Sequence, residues 1–167
     1  MSKRSIIWFR RDLRISDHPA LLAAISESSE IVPVFILDPK LIKTGGSKRL
    51  AYLGQSLSAL DESFGNCLQV IAGDQLTVLK DLQKKYDAES VHISAEYEPY
   101  GATRDKNIEE GGIKLIRTGS PYAVAPGRVL KPSDNTPYRV YTPFYKAWCA
   151  HGWRKPAEKP KEIPAVK

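Results

Sequence analysis

With 42% hydrophobic and 26% charged side chains, the 167-residue sequence has enough apolar material for one packed core, and too much for a disordered or fibrous chain. No apolar run approaches the ~20 residues of a membrane-spanning helix, and the basic start MSKRSIIWFRRDLR lacks the apolar centre and cleavage site of a signal peptide. Cys67 and Cys149 stand far apart without a CxxC partner, so the expectation is a cytoplasmic monomer with two reduced thiols, neither a membrane protein nor a disulfide scaffold.

The formal net charge of +6 is concentrated in two places. Residues 3–17 hold five cations against Asp12 and Asp17, and residues 154–167 hold five against Glu158 and Glu162. Half of the excess therefore lies in a tail. Basicity of this kind permits contact with nucleic acid without demanding it.

In chain order, Ile6–Phe9 reads as a strand covered on both faces, because its apolar run is continuous. It leads directly into Arg10-Arg11-Asp12-Leu13-Arg14. A helix follows, opened by Asp17, His18 and Pro19, with Leu21, Leu22 and Ile25 on its apolar face. Ile31–Leu37 is a second strand with Pro33 near its entrance. After the turn Thr44-Gly45-Gly46-Ser47, the residues Leu50, Leu53, Leu57, Leu60 and Phe64 recur at helical spacing. Leu68–Ala72 is a third strand, followed by a helix presenting Val78, Leu79, Leu82 and Tyr86. Val91–Ser94 is a fourth strand. Pro99 opens the next helix, which Gly111-Gly112 stops before a fifth strand at Ile113–Arg117. Strands alternating with helices at this spacing specify a parallel α/β sheet with right-handed crossovers.

The alternation then ends. Residues 119–140 carry four prolines and no sustained period, a short helix starts at Thr142-Pro143 with Phe144 and Trp148 one turn apart, and RKPAEKPKEIPAVK has linker composition.

In an open parallel sheet, ligands bind beyond the carboxyl ends of the strands, where the strand order reverses. For order 3-2-1-4-5 that point lies between strands one and four. The loops Arg10–Arg14 and Glu96–Gly101, the two richest in charge, follow those two strands. Trp8, Phe9, Tyr97 and Tyr100 interleave with them, which suits a planar heteroaromatic ligand with polar edges. There is no GxGxxG after strand one, and TGGSKR is not a phosphate-binding loop. His18, His92 and His151 are isolated and read as structural, and Glu96 and Glu98 need not converge as a catalytic pair. The residues describe a binding domain with no assignable catalytic or metal site. Two points stay open at this level. Asp12 is either the centre of an ion-pair network with Arg11 and Arg14 or part of a ligand loop. Arg49 either reaches the crevice or is an ordinary exposed helix residue. A stand-alone adenine-nucleotide-binding domain is a rival that the topology permits and the missing phosphate loop disfavours.

WFRRDLRISDHPAL resembles the N-terminal signature of DNA photolyases and cryptochromes. So do Phe35-Ile36-Leu37-Asp38-Pro39, Glu98-Pro99-Tyr100-Gly101 with Arg104-Asp105, and Tyr138-Arg139-Val140-Tyr141-Thr142-Pro143-Phe144. The matches run in order over residues 5–150. The resemblance implies a three-layer, Rossmann-like antenna domain at 1–150 with a five-stranded parallel sheet of order 3-2-1-4-5 and helices on both faces. Residues 151–167 would begin an interdomain linker. The implied activity is that of a deoxyribodipyrimidine photo-lyase, or a cryptochrome photoreceptor, whose FAD and damaged-DNA contacts belong to a C-terminal helical domain absent here. Trp8, Trp148 and Trp153 are therefore not its electron-transfer chain, and this chain alone would not repair dimers. By the same resemblance Phe9, Arg10, Asp38, Arg49, Glu96 and Glu98 would bind the antenna chromophore. Folate-using members carry Asn-Glu where this chain has Tyr100-Gly101, so 8-hydroxy-deazaflavin or FMN is favoured over methenyltetrahydrofolate, with occupancy left open.

Overall fold

The computed structural model describes residues 3–166. Its elements are β1 (Arg4–Phe9), α1 (Pro19–Glu27), β2 (Glu30–Leu37), α2 (Pro39–Thr44), α3 (Ser47–Ser63), β3 (Gln69–Ala72), α4 (Gln75–Tyr86), β4 (Ala88–Ile93), α5 (Pro99–Glu110), β5 (Leu115–Arg117) and α6 (Tyr141–His151). The five strands form one sheet in the order β3-β2-β1-β4-β5, and each neighbouring pair is parallel.

Strand periodicity divides β1 between two cores. Ile6 and Trp8 face one side with Val32, Val34, Ile36 and Val91, against Val78, Leu79 and Leu82 of α4 and Ile108 of α5. Ile7 and Phe9 face the other with Ile31, against Ala20, Leu21 and Ala24 of α1 and Leu57, Leu60 and Phe64 of α3. Both faces of the central strand are thus dry, which is why its sequence shows no polar alternation. Each fully buried side chain of this kind contributes about 1.5–3 kcal/mol from the area it removes from water.

Helix starts follow the local chemistry. The His18 ring accepts the Leu21 N–H at 3.1 Å and Pro19 takes the first helical position of α1. Asp74 accepts the Thr77 N–H to begin α4, and Asp87 closes that helix with a left-handed backbone at φ 52°. The sequence reading misses α2. Its six residues span less than two turns, too few for an apolar period, and it is defined by Asp38, whose carboxylate accepts the Lys40 N–H, with Pro39 at the first helical position.

The proline-rich tail forms no helix, yet it is docked. β3 pairs with β2 only from Val34 onward, so Ile31 has a free edge on that side. Pro164 C=O accepts the Ile31 N–H at 2.8 Å, and the Val166 N–H donates to Ile31 C=O at 2.9 Å. Backbone groups alternate sides, so Pro33 turns its nitrogen to this same edge, before β3 has begun, and its missing N–H costs no ladder bond. Ile163 and Ala165 pack on the α1/α3 core, and Asp17 binds Ala157 N–H at 2.8 Å and Arg154 at 2.6 Å. Linker composition here coexists with satisfied backbone groups and a short apolar foot, Ile163–Val166.

Candidate functional site

A crevice of about 370 Å³ opens at the carboxyl ends of β1, β2 and β4, where the sheet order reverses. Phe9, Arg10, Asp38, Arg49, Glu96 and Glu98, the residues singled out from sequence, all line it. A second lobe of about 320 Å³ continues between α2 and α3, lined by Leu37, Leu50, Leu53 and neighbouring side chains. Arg10, Arg11, Phe35, Ile36, Asp38, Leu41 and Arg49 border both lobes.

One wall is a buried four-charge cage. Arg10 contacts Glu96 at 3.3 Å and Asp105 at 2.8 Å, while Arg104 contacts the same two carboxylates at 3.3 and 2.7 Å. Arg10 also donates to Ser94 C=O. Side-chain exposures of 6% for Arg10, 8% for Glu96, 3% for Asp105 and 12% for Arg104 mean that the charges neutralise one another with little water. Burial, and then the neighbouring Arg104, pull the Arg10 pKa below its ordinary value, and the two carboxylates oppose this. Both guanidinium groups lie over the Trp8 ring, at 5.0 and 4.9 Å from its centroid. Trp8 Nε1 is buried with no hydrogen-bond partner.

The cage depends on a glycine. A Cβ built on Gly101 would lie 2.5 Å from Glu96 Oε2, so the Glu96 carboxylate rests on the bare backbone of α5's first turn. Glu96 therefore lines the crevice while its oxygens are committed to arginines. Glu98, at the start of α5, is exposed and pairs with Arg11 at 2.5 Å.

The Asp12 alternative left open by the sequence is resolved differently from an Arg11–Asp12–Arg14 network. Asp12 is buried and accepts from Ser94 Oγ and from the Arg10 N–H, and its Oδ2 lies 2.9 Å from His18 Nε2. Because His18 Nδ1 accepts from Leu21, the neutral ring carries its proton on Nε2, facing Asp12. Arg14 instead holds Asp17 C=O at 2.9 Å. Burial raises the Asp12 pKa, but His18, Ser94 and Arg10 N–H together hold it well below the carboxylate range. This unit ties the β1 loop to β4 and α1 and so fixes where Arg10 leaves the strand.

On the opposite rim Asp38 accepts from Tyr100 Oη, from Gln75 Nε2 at 2.8 Å and from Lys40 N–H at 2.8 Å. Those bonds outweigh burial and lower its pKa, while burial and donation to Asp38 raise that of Tyr100. Arg49 is exposed on α3, so both open readings of it hold: it is a surface residue and it borders the crevice. Trp8 and Tyr100, read from sequence as aromatics beside the crevice, line it, whereas Tyr97, read with them, does not: it turns toward β5 and packs on Tyr122. Gly101 and Arg104 also line the crevice and were not singled out, although both stood in the quoted motifs. A larger depression of about 570 Å³ lies beyond β5 against Tyr122, Arg128 and Trp153, and holds none of the sequence-chosen residues. Among the described residues no cluster of His, Cys, Asp and Glu has metal-binding geometry, and no helix is long and apolar enough to cross a membrane.

The family model for DNA photolyase matches residues 5–165. The chain belongs to the DNA photolyase family. It is 32% identical to the deoxyribodipyrimidine photo-lyase of a Synechococcus strain across 98% of its own length, and spans 35% of that relative. Among solved structures, a class III photolyase from Agrobacterium tumefaciens superposes with a TM-score of 0.85 at 31% identity, covering all of this chain and 36% of the other. An archaeal photolyase from Sulfolobus tokodaii, solved with two FAD molecules that implied a novel light-harvesting cofactor, gives 0.80 at 27% identity, covering 98% of this chain and 38% of that one. The chain thus matches the N-terminal third of longer family members.

Proposed function

We propose that this chain is the antenna-binding domain of a light-dependent DNA repair enzyme, a deoxyribodipyrimidine photo-lyase. The observation that carries the reading is the crevice at the strand-order reversal, where Phe9, Arg10, Asp38, Arg49, Glu96 and Glu98 converge within a photolyase-family fold. When bound, an antenna chromophore supplies light absorption and passes the excitation energy to FAD in the helical domain of the whole protein. The chain's own residues supply the walls. Phe35 and Tyr100 offer ring surfaces, the neutral cage stacked on Trp8 keeps Arg10 and Arg104 fixed, Phe9 anchors the end of β1 in the core, and Asp38 holds Tyr100 in place.

The light-harvesting cofactor of the archaeal relative supports an antenna role for this fold. 8-Hydroxy-deazaflavin or FMN is favoured over a folate because this chain has Tyr100-Gly101 where folate-using members carry Asn-Glu, and Glu96 here rests on the bare backbone of Gly101. Residues 1–150 form the antenna unit, and 151–167 carry the chain toward the helical domain. The exposed face of α6 and its flanks, with Tyr141 at 73%, Phe144 at 37%, Tyr145 at 51% and Trp153 at 57% exposure, is the surface that domain would cover. Damaged DNA is a partner of the whole enzyme only.

Blue-light repair of dimer-containing DNA by this chain alone and by the full-length gene product tests the division of labour. The expected result is repair by the full-length product only. Repair by the chain alone contradicts the assignment of catalysis to the helical domain, and no repair by the full-length product contradicts the enzyme.

A further inference from the structure

Asp17 and His18 are neighbours with different tasks. The buried His18 ring caps α1 and faces Asp12, which fixes the end of the β1 loop from inside. Asp17 instead meets the segment that leaves α6 at Gly152 and forms neither helix nor strand before the apolar foot at Ile163. Its backbone is left-handed, φ 48°, a conformation that Gly, Asn and Asp accept more readily than other residues. From the other side Arg14 donates to Asp17 C=O at 2.9 Å.

The Asp17 N–H donates to Ala157 C=O at 3.2 Å, its Oδ1 accepts the Ala157 N–H at 2.8 Å, and Arg154 reaches the same oxygen at 2.6 Å. Among the described residues, these are all the hydrogen bonds and ion pairs that residues 153–162 make outside their own segment. A stretch without regular structure is placed by such anchors. Arg154 also holds its neighbour Trp153, whose ring stacks on Trp148 of α6 at 4.7 Å. Asp17 lines neither lobe of the crevice, so no contact to a chromophore depends on it directly.

We infer that Asp17 is a positioning residue for the joint with the helical domain. It latches residues 153–157 to the junction of the β1 loop with α1, and so fixes where the rest of the protein stands relative to the crevice. This rests on the antenna reading and extends it: energy transfer falls steeply with the distance between donor and acceptor and depends on their orientation, so a loosened joint lowers transfer while both cofactors stay bound.

The test uses two variants that both suit a left-handed backbone. Asp17→Gly removes the carboxylate, and Asp17→Asn keeps an acceptor for the Ala157 N–H without the charge for Arg154. In this chain, amide hydrogen exchange across residues 153–159 should quicken roughly tenfold in Asp17→Gly and less in Asp17→Asn, with β1 and α1 unchanged. Unchanged exchange in Asp17→Gly means that other contacts hold the segment, and faster exchange throughout β1 and α1 means that Asp17 only stabilises the fold; either overturns the inference. In the full-length product, repair driven through the antenna should drop relative to repair driven by direct flavin excitation in Asp17→Gly, with chromophore absorbance unchanged. An unchanged ratio despite a freed segment overturns the positioning role and leaves the antenna reading standing. A full-length product that holds no antenna chromophore overturns the antenna reading instead, and the exchange result alone then decides whether Asp17 holds the joint.

Discussion

Asp105 shows how much can hang on one side chain. Its carboxylate, 3% exposed, meets two guanidinium groups that have almost no water of their own. Replacing it leaves a buried net positive charge, so Asp105→Ala should cost about 3–5 kcal/mol in urea denaturation, against a few tenths for Arg49→Ala. His92 is buried at 0% exposure, and burial lowers its pKa below the ordinary 6.5. The unfolded ring therefore takes up a proton that the folded ring refuses, and stability falls as pH drops through and below the usual histidine range. Asp12, held low, adds a second loss as pH falls through and below the ordinary carboxylate value of 3.8. Urea midpoints between pH 8 and pH 5 should decline in the wild type and flatten in His92→Gln; a flat wild-type profile contradicts the buried neutral ring. None of these roles is visible in local sequence. Asp12 sits 82 residues from Ser94, and only the pairing of β1 with β4 brings them together.

At the scale of elements, α5 is placed by its first turn. Pro99 starts it, and Gly101 lets the Glu96 carboxylate lie against it. Gly101→Ala must move that carboxylate off its contacts of 3.3 Å with each arginine, so it should cost about 1–3 kcal/mol and weaken chromophore binding together. Unchanged stability and unchanged binding would show that Glu96 can move freely. The strands and helix faces were legible because apolar spacing in β1, α3 and α4 is regular, whereas the strand order came from the family resemblance, and the six crevice residues from the reversal point it implies and the family motifs. The short α2 was not legible, being fixed by one cap and a proline. Its position matters, since Leu41 and Asp38 form the rim between the two lobes.

For the molecule as a whole, two surfaces extend beyond the layered core. The tail docks through Ile163–Val166 on the free edge of β2, which composition alone read as linker because charges and prolines outnumber its four-residue apolar foot. Ile163→Asp should detach that foot and lower the urea midpoint by an amount equivalent to about 1–3 kcal/mol; an unchanged midpoint would mean the docking adds nothing. The aromatic face of α6 remains uncovered in this chain, as expected for a domain that spans a third of its relatives.

The antenna role is tested most directly by absorbance. The chain is purified in dim light, its near-ultraviolet and visible spectrum recorded, and the spectrum repeated after separate additions of a deazaflavin, FMN and a folate. A retained band, or a band shifted on adding FMN or deazaflavin and lost with Gly101→Ala, is the predicted result. A protein-only spectrum on purification, together with free-ligand spectra after every addition, contradicts the crevice as a chromophore site.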